Sequence, residues 1–102
     1  MNGQEKITVY VDSDLEDIVP VFLQSRQKDI LSMERALAEG DYETIRLIGH
    51  SMKGAGGGYG FDAITEIGAS IERAAKQGDK DAIKRQIEAL KDYLNRVEVK
   101  YV

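Results

Sequence analysis

The chain has 102 residues, of which 42% are hydrophobic and 31% charged, and its formal net charge is −4. This composition predicts a single folded domain over residues 1–102 with one hydrophobic core. The acidic balance argues against nucleic acid as a partner, because phosphate binding requires a basic surface. The sequence contains no cysteine, which excludes disulfides and thiolate metal sites.

The sequence predicts neither a membrane span nor a secretory signal. No apolar run approaches the roughly 20 residues that a membrane-spanning helix needs, so no membrane association is expected. Residues 1–6 are polar and contain no apolar segment of a secretory signal. We therefore expect a cytoplasmic protein.

Short alternating segments rich in β-branched residues lie near both ends, at 7–11 and 97–102. They predict two strands that pair as a small ribbon beside the helices, or else two extended tails, since an isolated ribbon is only marginally stable.

The first helical pattern contains the only proline of the sequence, Pro20. Proline fits the first turn of a helix and disrupts its interior. The pattern therefore predicts either a short helix over 13–19 followed by a helix over 20–39, or one helix kinked at Pro20. Its apolar stripe is Val19, Leu23, Ile30, Met33 and Leu37, with Phe22 beside it. Arg26 interrupts this stripe, and we expect its guanidinium to reach solvent.

Two Gly–Asp pairs, at 40–41 and 78–79, divide the rest of the chain, each a helix end followed by an N-cap. Helices are predicted from 42 to about 57, over about 62–77 and over about 80–96. Their inward positions are Tyr42, Ile45, Ile48 or Gly49, and Met52; then Ile64, Ile67, Gly68, Ile71 and Ala75; then Ile83, Ile87, Leu90 and Leu94. Because short connections make neighbouring helices antiparallel, the sequence predicts an all-α, up-down-up-down four-helix bundle.

The only histidine, His50, opens a glycine-rich stretch and lies off the apolar stripe of its helix, which favours exposure. Residues three and four apart share a helix face, so His50 lies beside Lys53 and Gly54. Lys53 brings a cation near the imidazole, and Gly54 leaves the adjacent position without a side chain. This arrangement suits a phosphoryl group, which needs room and a cation for its oxygens.

The next helix supplies a carboxylate at the same height. Gly60 is the predicted stop and Asp62 the predicted N-cap of the following helix, which places the turn near Phe61. His50 lies eleven residues before Phe61 and Glu72 eleven residues after it. At a rise of about 1.5 Å per residue, both then lie roughly 16 Å from the turn. Glu72 can therefore accept a hydrogen bond from Nδ1–H of His50, which leaves Nε2 as a nucleophile.

The pattern His50-x-x-Lys53-Gly54, followed by a glycine-rich run and Gly60, resembles the histidine phosphotransfer (HPt) domain family of two-component phosphorelays. Glu72 matches the position that in this family hydrogen-bonds the phosphorylated histidine and is often glutamine. A glutamate there looks like the phosphotransfer domain of chemotaxis histidine kinases.

The resemblance implies that His50 accepts a phosphoryl group and exchanges it with an aspartate of a receiver domain, while Lys53 offsets part of the charge. It implies a carrier without turnover of its own and without a cofactor, because the family's magnesium sits in the receiver. The expected partner is the receiver domain of a response regulator or hybrid histidine kinase, and the expected state is a monomer. A chemotaxis-kinase type, fed by ATP through a kinase domain, stays open.

Further residues are weaker candidates for the site. Arg46, one turn before His50, and Lys76, one turn after Glu72, can add positive charge near the phosphoryl group. The docking surface is expected to surround His50, with the candidates Ile18, Val21 and Leu47.

Other interpretations of these residues fit less well. The glycine run lacks the Gly-Lys-Ser/Thr of a Walker loop, and no strand precedes it as in a dinucleotide site. Residues 57–60 fit the GXXG of RNA-binding KH domains, but the acidic charge and the missing sheet disfavour that function. One histidine with scattered carboxylates predicts no metal site. Two alternatives remain, a helical adaptor that is never phosphorylated, and the dimerisation bundle of a sensor kinase, in which an acidic residue rather than Ser51 would follow His50.

Overall fold

A computed structural model describes residues 5–102; residues 1–4, on which part of the signal-sequence prediction rests, lie outside it. The elements in chain order are β1 (Ile7–Val11), a 3-10 turn (Ser13–Leu15), α1 (Val19–Ala38), α2 (Tyr42–Gly56), a second 3-10 turn (Gly57–Tyr59), α3 (Asp62–Lys76), α4 (Lys80–Arg96) and β2 (Val97–Tyr101). The predicted fold, four helices with a small ribbon from the chain ends, is confirmed. None of the helices in this part of the chain is long and apolar enough to cross a membrane.

The N-terminal helix is split rather than kinked. Only one 3-10 turn forms before α1, and the side chain of Asp12 caps it by accepting a hydrogen bond of 2.8 Å from a backbone N–H two residues on. The helix proper begins at Val19 with Pro20 in its first turn. A continuous helix would bring the proline ring against the carbonyl of Glu16, so the predicted helix over 13–19 was wrong in its extent.

The two Gly–Asp joints form as predicted. Gly40 and Gly78 have φ angles of +71° and +63°, a left-handed conformation that favours glycine at a helix end. The carboxylates of Asp41 and Asp79 each accept a hydrogen bond of 3.1 Å from the backbone N–H three residues on. Both residues therefore cap the helices that follow them.

The turn between α2 and α3 differs from the prediction in the residue that precedes α3. Gly60 has a φ of +89° and ends the second 3-10 turn, as expected of a stop. Asp62, however, is the first residue of α3, and the N-cap position belongs to Phe61, which offers no side-chain hydrogen bond. The Phe61 side chain is fully buried, so packing rather than capping sets where α3 begins.

The core takes side chains from all four helices, and most of the predicted inward residues are buried. One position of the stripe differs from the prediction in α1 and one in α4, and in α2 Gly49 is the buried one of the two predicted alternatives. The buried members are Phe22, Gly49 and Tyr93, whereas their predicted or alternative neighbours Leu23, Ile48 and Leu94 are only half-buried. In α1 the cause is an aromatic stack, because the Phe22 ring lies 4.4 Å from that of Tyr59 and 5.5 Å from that of Phe61.

The two strands form a parallel pair in which Ile7 faces Val97 and Val11 faces Tyr101. Parallel strands need a long crossover connection, and here the whole helical bundle between the chain ends provides it. The half-buried inner residues Val9 and Val99 pack against the core, which gives the ribbon the support that an isolated strand pair lacks.

Candidate functional site

The helices α2 and α3 touch through glycines. A Cβ atom on Gly49 would lie 2.8 Å from the backbone nitrogen of Glu72, and one on Gly68 would lie 2.6 Å from that of Lys53. No side chain fits at either position, so the two backbones approach closely. Both glycines were predicted only as inward positions. The free energy that a glycine costs inside an amphipathic helix was the sequence signal of this close crossing.

This crossing assembles a cluster of three charged or titratable side chains. Nδ1 of His50 lies 3.0 Å from Oε2 of Glu72, and Nζ of Lys53 lies 2.8 Å from Oε1. The side chain of Glu72 is 8% exposed, whereas that of His50 is 63% exposed. The predicted contact between His50 and Glu72 is present, but the ion pair that joins Lys53 to the same carboxylate was not foreseen.

The environment of Glu72 determines the state of the imidazole. The hydrogen bond from the Lys53 ammonium, aided by the one from His50, lowers the pKa of Glu72 from 4.5 to about 2 although burial acts in the opposite direction. An ionised carboxylate only accepts hydrogen bonds, so Nδ1 of His50 must donate. In the neutral ring Nε2 then carries the free lone pair on the exposed side of the residue.

The pKa of Glu72 predicts a specific pH dependence of stability. Its folded-state pKa is depressed, so its contribution is fully present above about pH 4.5 and is lost as the pH falls toward 2. We expect the free energy of unfolding of the wild type, relative to Glu72→Gln, to decline over that interval. Urea unfolding of both proteins from pH 7 to pH 2 measures this. Since every other carboxylate titrates in both proteins, a constant difference would contradict the prediction.

The remaining predicted site residues are arranged unequally around the cluster. Nζ of Lys76 lies 4.0 Å from Oε2 of Glu72 and is close enough to add positive charge. The guanidinium of Arg46 instead makes hydrogen bonds of 2.9 and 2.6 Å to the carboxylate of Glu43. Gly60 lies in the turn between α2 and α3, where the positive φ explains why this position is a glycine.

Gly54 has no packing reason to be glycine, because a Cβ atom there would meet nothing within 4 Å. We expect Gly54→Ala to raise the free energy of unfolding by about 0.5–1 kcal/mol, the difference in helix propensity between the two residues. Gly56→Ala is the matched control, since its Cβ atom would lie 2.6 Å from Oγ1 of Thr65 and should destabilise the fold. Urea unfolding of both variants tests the pair, and a loss of stability in Gly54→Ala would contradict the assignment.

An apolar groove runs along α1 and α2. Its volume is about 420 Å³, and its lining consists of Ile18, Val21, Phe22, Ser25, Arg26, Ser51, Ala55 and Tyr59. Ser51, the residue that follows His50, contributes to this lining from α2. Two of the lining residues, Ile18 and Val21, are large apolar side chains that stand exposed, and Leu47 is a further exposed apolar side chain of α2. These are the three residues that the sequence analysis named as docking candidates.

A four-helix bundle with one exposed histidine, held by a buried carboxylate on the neighbouring helix, defines a histidine phosphotransfer protein. The family model of the Hpt domain matches residues 17–100, and the chain belongs to this family. It is similar to the phosphorelay protein LuxU of Vibrio vulnificus strains YJ016 and CMCP6, with 25% identity over 104 residues that cover 98% of this chain and 90% of the relative. No solved structure matches the chain significantly.

Proposed function

We propose that this chain carries a phosphoryl group on Nε2 of His50 and exchanges it with the aspartate of a receiver domain. A phosphorelay intermediate that holds the phosphoryl group on a histidine is the function that its family and its likeness to a phosphorelay protein support. The observation that carries the assignment to this residue is simple: His50 is the only histidine of the sequence.

The site geometry accounts for the transfer step. The Nε2 lone pair attacks the phosphorus of the aspartyl phosphate, an N–P bond forms, and the P–O bond to the aspartate breaks with release of its carboxylate. The imidazole ring gains positive charge in this step. The ionised carboxylate of Glu72, 3.0 Å from Nδ1, offsets that charge and keeps the ring oriented. Transfer to a second receiver reverses these changes.

Lys53 and Gly54 serve the phosphoryl group and the partner. The side chain of Lys53 is 42% exposed and donates to Glu72, and its ammonium retains further N–H groups for the phosphoryl oxygens. The open space beside Gly54 gives the partner access to His50. Because phosphoryl transfer depends mostly on positioning and charge stabilisation, one histidine on a rigid helix suffices.

The proposed role includes the type of partner, the oligomeric state and the location of the chain. Membership of a phosphorelay carrier family implies partners of the receiver or response-regulator type. We propose that the chain acts as a monomeric, cytoplasmic carrier without turnover of its own, and that the magnesium ion required for transfer belongs to the receiver. In residues 5–102 no group of three or more His, Cys, Asp or Glu side chains is placed to hold a metal ion.

The test is transfer of labelled phosphate from phosphorylated receiver domains of the same organism to the wild type and to His50→Gln. We expect label on the wild type alone, stable to base and labile to acid, as phosphohistidine is. The substitution replaces a side chain that is 63% exposed, so the variant should remain folded, which circular dichroism checks.

A second arm separates the remaining alternatives. A histidine-kinase catalytic domain with ATP replaces the receiver as the phosphoryl donor. Label from this source but from no receiver would assign the chain to the chemotaxis-kinase type, the alternative that the glutamate at position 72 raises. Absence of label from both sources, with folded protein, would leave a helical adaptor and overturn the proposed function.

A further inference from the structure

The groove between α1 and α2 contains a charged side chain in an apolar setting. Arg26 is only 9% exposed, and its Cζ atom lies 4.6 Å from the centre of the Phe22 ring. The aliphatic stem is covered as expected, and Nε is the guanidinium nitrogen that is buried without a hydrogen bond. The aromatic stack of Phe22 and Tyr59 offers it a cation–π platform, and Asp29 offers a counter-charge 2.8 Å from its Nε atom.

The guanidinium of Arg26 is incompletely paired. It has five N–H donors, and Asp29 is the carboxylate beside it. The Nε atom is buried and lacks a well-directed hydrogen bond, even though the Asp29 oxygen is near. Burying a charge with unused donors costs free energy. The donors of Arg26 that do not bond to Asp29 are therefore available to an acceptor in the groove.

The position of Arg26 indicates what uses this capacity. Ser51, the residue that follows His50, lines the groove, and a domain that presents an aspartate to Nε2 must cover surface around the histidine. The exposed apolar side chains at the groove, Ile18 and Val21, suit an apolar side chain of the partner. Arg26 adds one buried positive charge to this surface, which suits an oxygen acceptor.

We propose that Arg26 is a specificity-determining residue for the receiver domain that docks at this groove. Its guanidinium donates to a carboxylate or carbonyl oxygen of the receiver, next to the apolar side chain that fills the groove. Receivers that lack an acceptor oxygen at this point leave the guanidinium buried and unpaired, and are rejected for that reason. The proposal rests on the proposed function, because it names how the same site selects its partner.

Three variants separate this role from a purely structural one. Arg26→Met removes the donors and keeps much of the aliphatic packing. Asp29→Asn removes the counter-charge and leaves the guanidinium in place. Lys28→Met removes the same charge from an exposed position of α1 and reports general electrostatic attraction.

The measurement uses a phosphorylated receiver domain that labels wild-type His50, with transfer rates recorded against carrier concentration. For Arg26→Met we expect the half-saturating carrier concentration to rise about tenfold or more, because a charge-assisted hydrogen bond to the receiver is lost. The maximal rate should be unchanged. Asp29→Asn should dock as well as the wild type or better, and Lys28→Met should change the value less than about twofold.

Other outcomes overturn the proposal. Equal weakening by Arg26→Met and Asp29→Asn would make the ion pair structural, and equal weakening by Lys28→Met would make the effect one of net charge. Unchanged docking by folded Arg26→Met would also refute it. If that variant does not fold, Arg26→Lys decides, because it keeps the charge, loses the planar fork and should still weaken docking.

A receiver-independent donor keeps the two proposals distinct. Phosphoramidate should label His50 at the same rate in the wild type and in Arg26→Met, because this small donor does not occupy the groove. Labelling of the wild type by neither phosphoramidate nor any receiver would refute the proposed function itself. A lower rate with phosphoramidate in Arg26→Met would show that the substitution damages the histidine site, and would overturn the docking role.

Discussion

Glu72→Ala should slow phosphoryl transfer to His50 about a hundredfold, the scale of losing one preorganised charge contact at a reacting group. The variant removes the acceptor that lies 3.0 Å from Nδ1. The ring then loses its fixed tautomer, so Nε2 carries the proton in part of the population. It also loses the negative charge that offsets the imidazolium formed in the step. Single-turnover transfer from a labelled receiver measures the effect.

Glu72→Gln is the matched control for this experiment. Its amide oxygen can still accept from Nδ1–H of His50, but it carries no charge. We expect it to transfer faster than Glu72→Ala and slower than the wild type, which separates orientation of the ring from charge stabilisation. A Glu72→Ala variant that is folded and as fast as the wild type would remove Glu72 from the mechanism.

Gly68→Ala should destabilise the protein by about 2 kcal/mol, although alanine is the better helix former by about 1 kcal/mol. The added Cβ atom would lie 2.6 Å from the backbone nitrogen of Lys53 and 2.8 Å from Cβ of Met52. Neither is the end of a flexible side chain, so the helices α2 and α3 must separate. Urea unfolding at pH 7 measures the loss.

The same substitution should affect the site, because separation of the helices draws Glu72 away from His50. We expect slower transfer to the folded fraction of Gly68→Ala. Gly54→Ala is the control, because it adds the same methyl group on the open side of α2, where nothing lies within 4 Å. Its effect on the free energy of unfolding should have the opposite sign. Unchanged or increased stability of Gly68→Ala would show that the close crossing of the helices is not needed.

Local signals in the sequence were sufficient for the boundaries at the two Gly–Asp joints and for part of the site. The Gly–Asp joints predicted the ends of α1 and α3, since left-handed glycines and capping aspartates act within a few residues. Helical spacing predicted that His50 is exposed beside Lys53. The common distance of His50 and Glu72 from the turn predicted their contact, because the rise of a helix is constant.

Tertiary structure alone decided what depends on packing across elements. It selected Phe22 over Leu23 for the core through the aromatic stack, and it placed the Arg26 guanidinium over the Phe22 ring. An apolar stripe is wide enough that neighbouring residues compete for burial, and only the facing side chains resolve that competition. It also decided the direction of the strand pair, which alternation within each strand does not encode.

The candidate site also depends in part on the sequence alone and in part on tertiary structure. The sequence by itself identified the candidate residues for the chemistry, a single histidine with a lysine and a glycine on its helix and a carboxylate at the same height on the next. Only the tertiary structure decided that Lys53 joins His50 on the same carboxylate, and that this carboxylate is buried and ionised. The physical reason is the close approach of two backbones at Gly49 and Gly68, a distance that arises from both helices together and from neither alone.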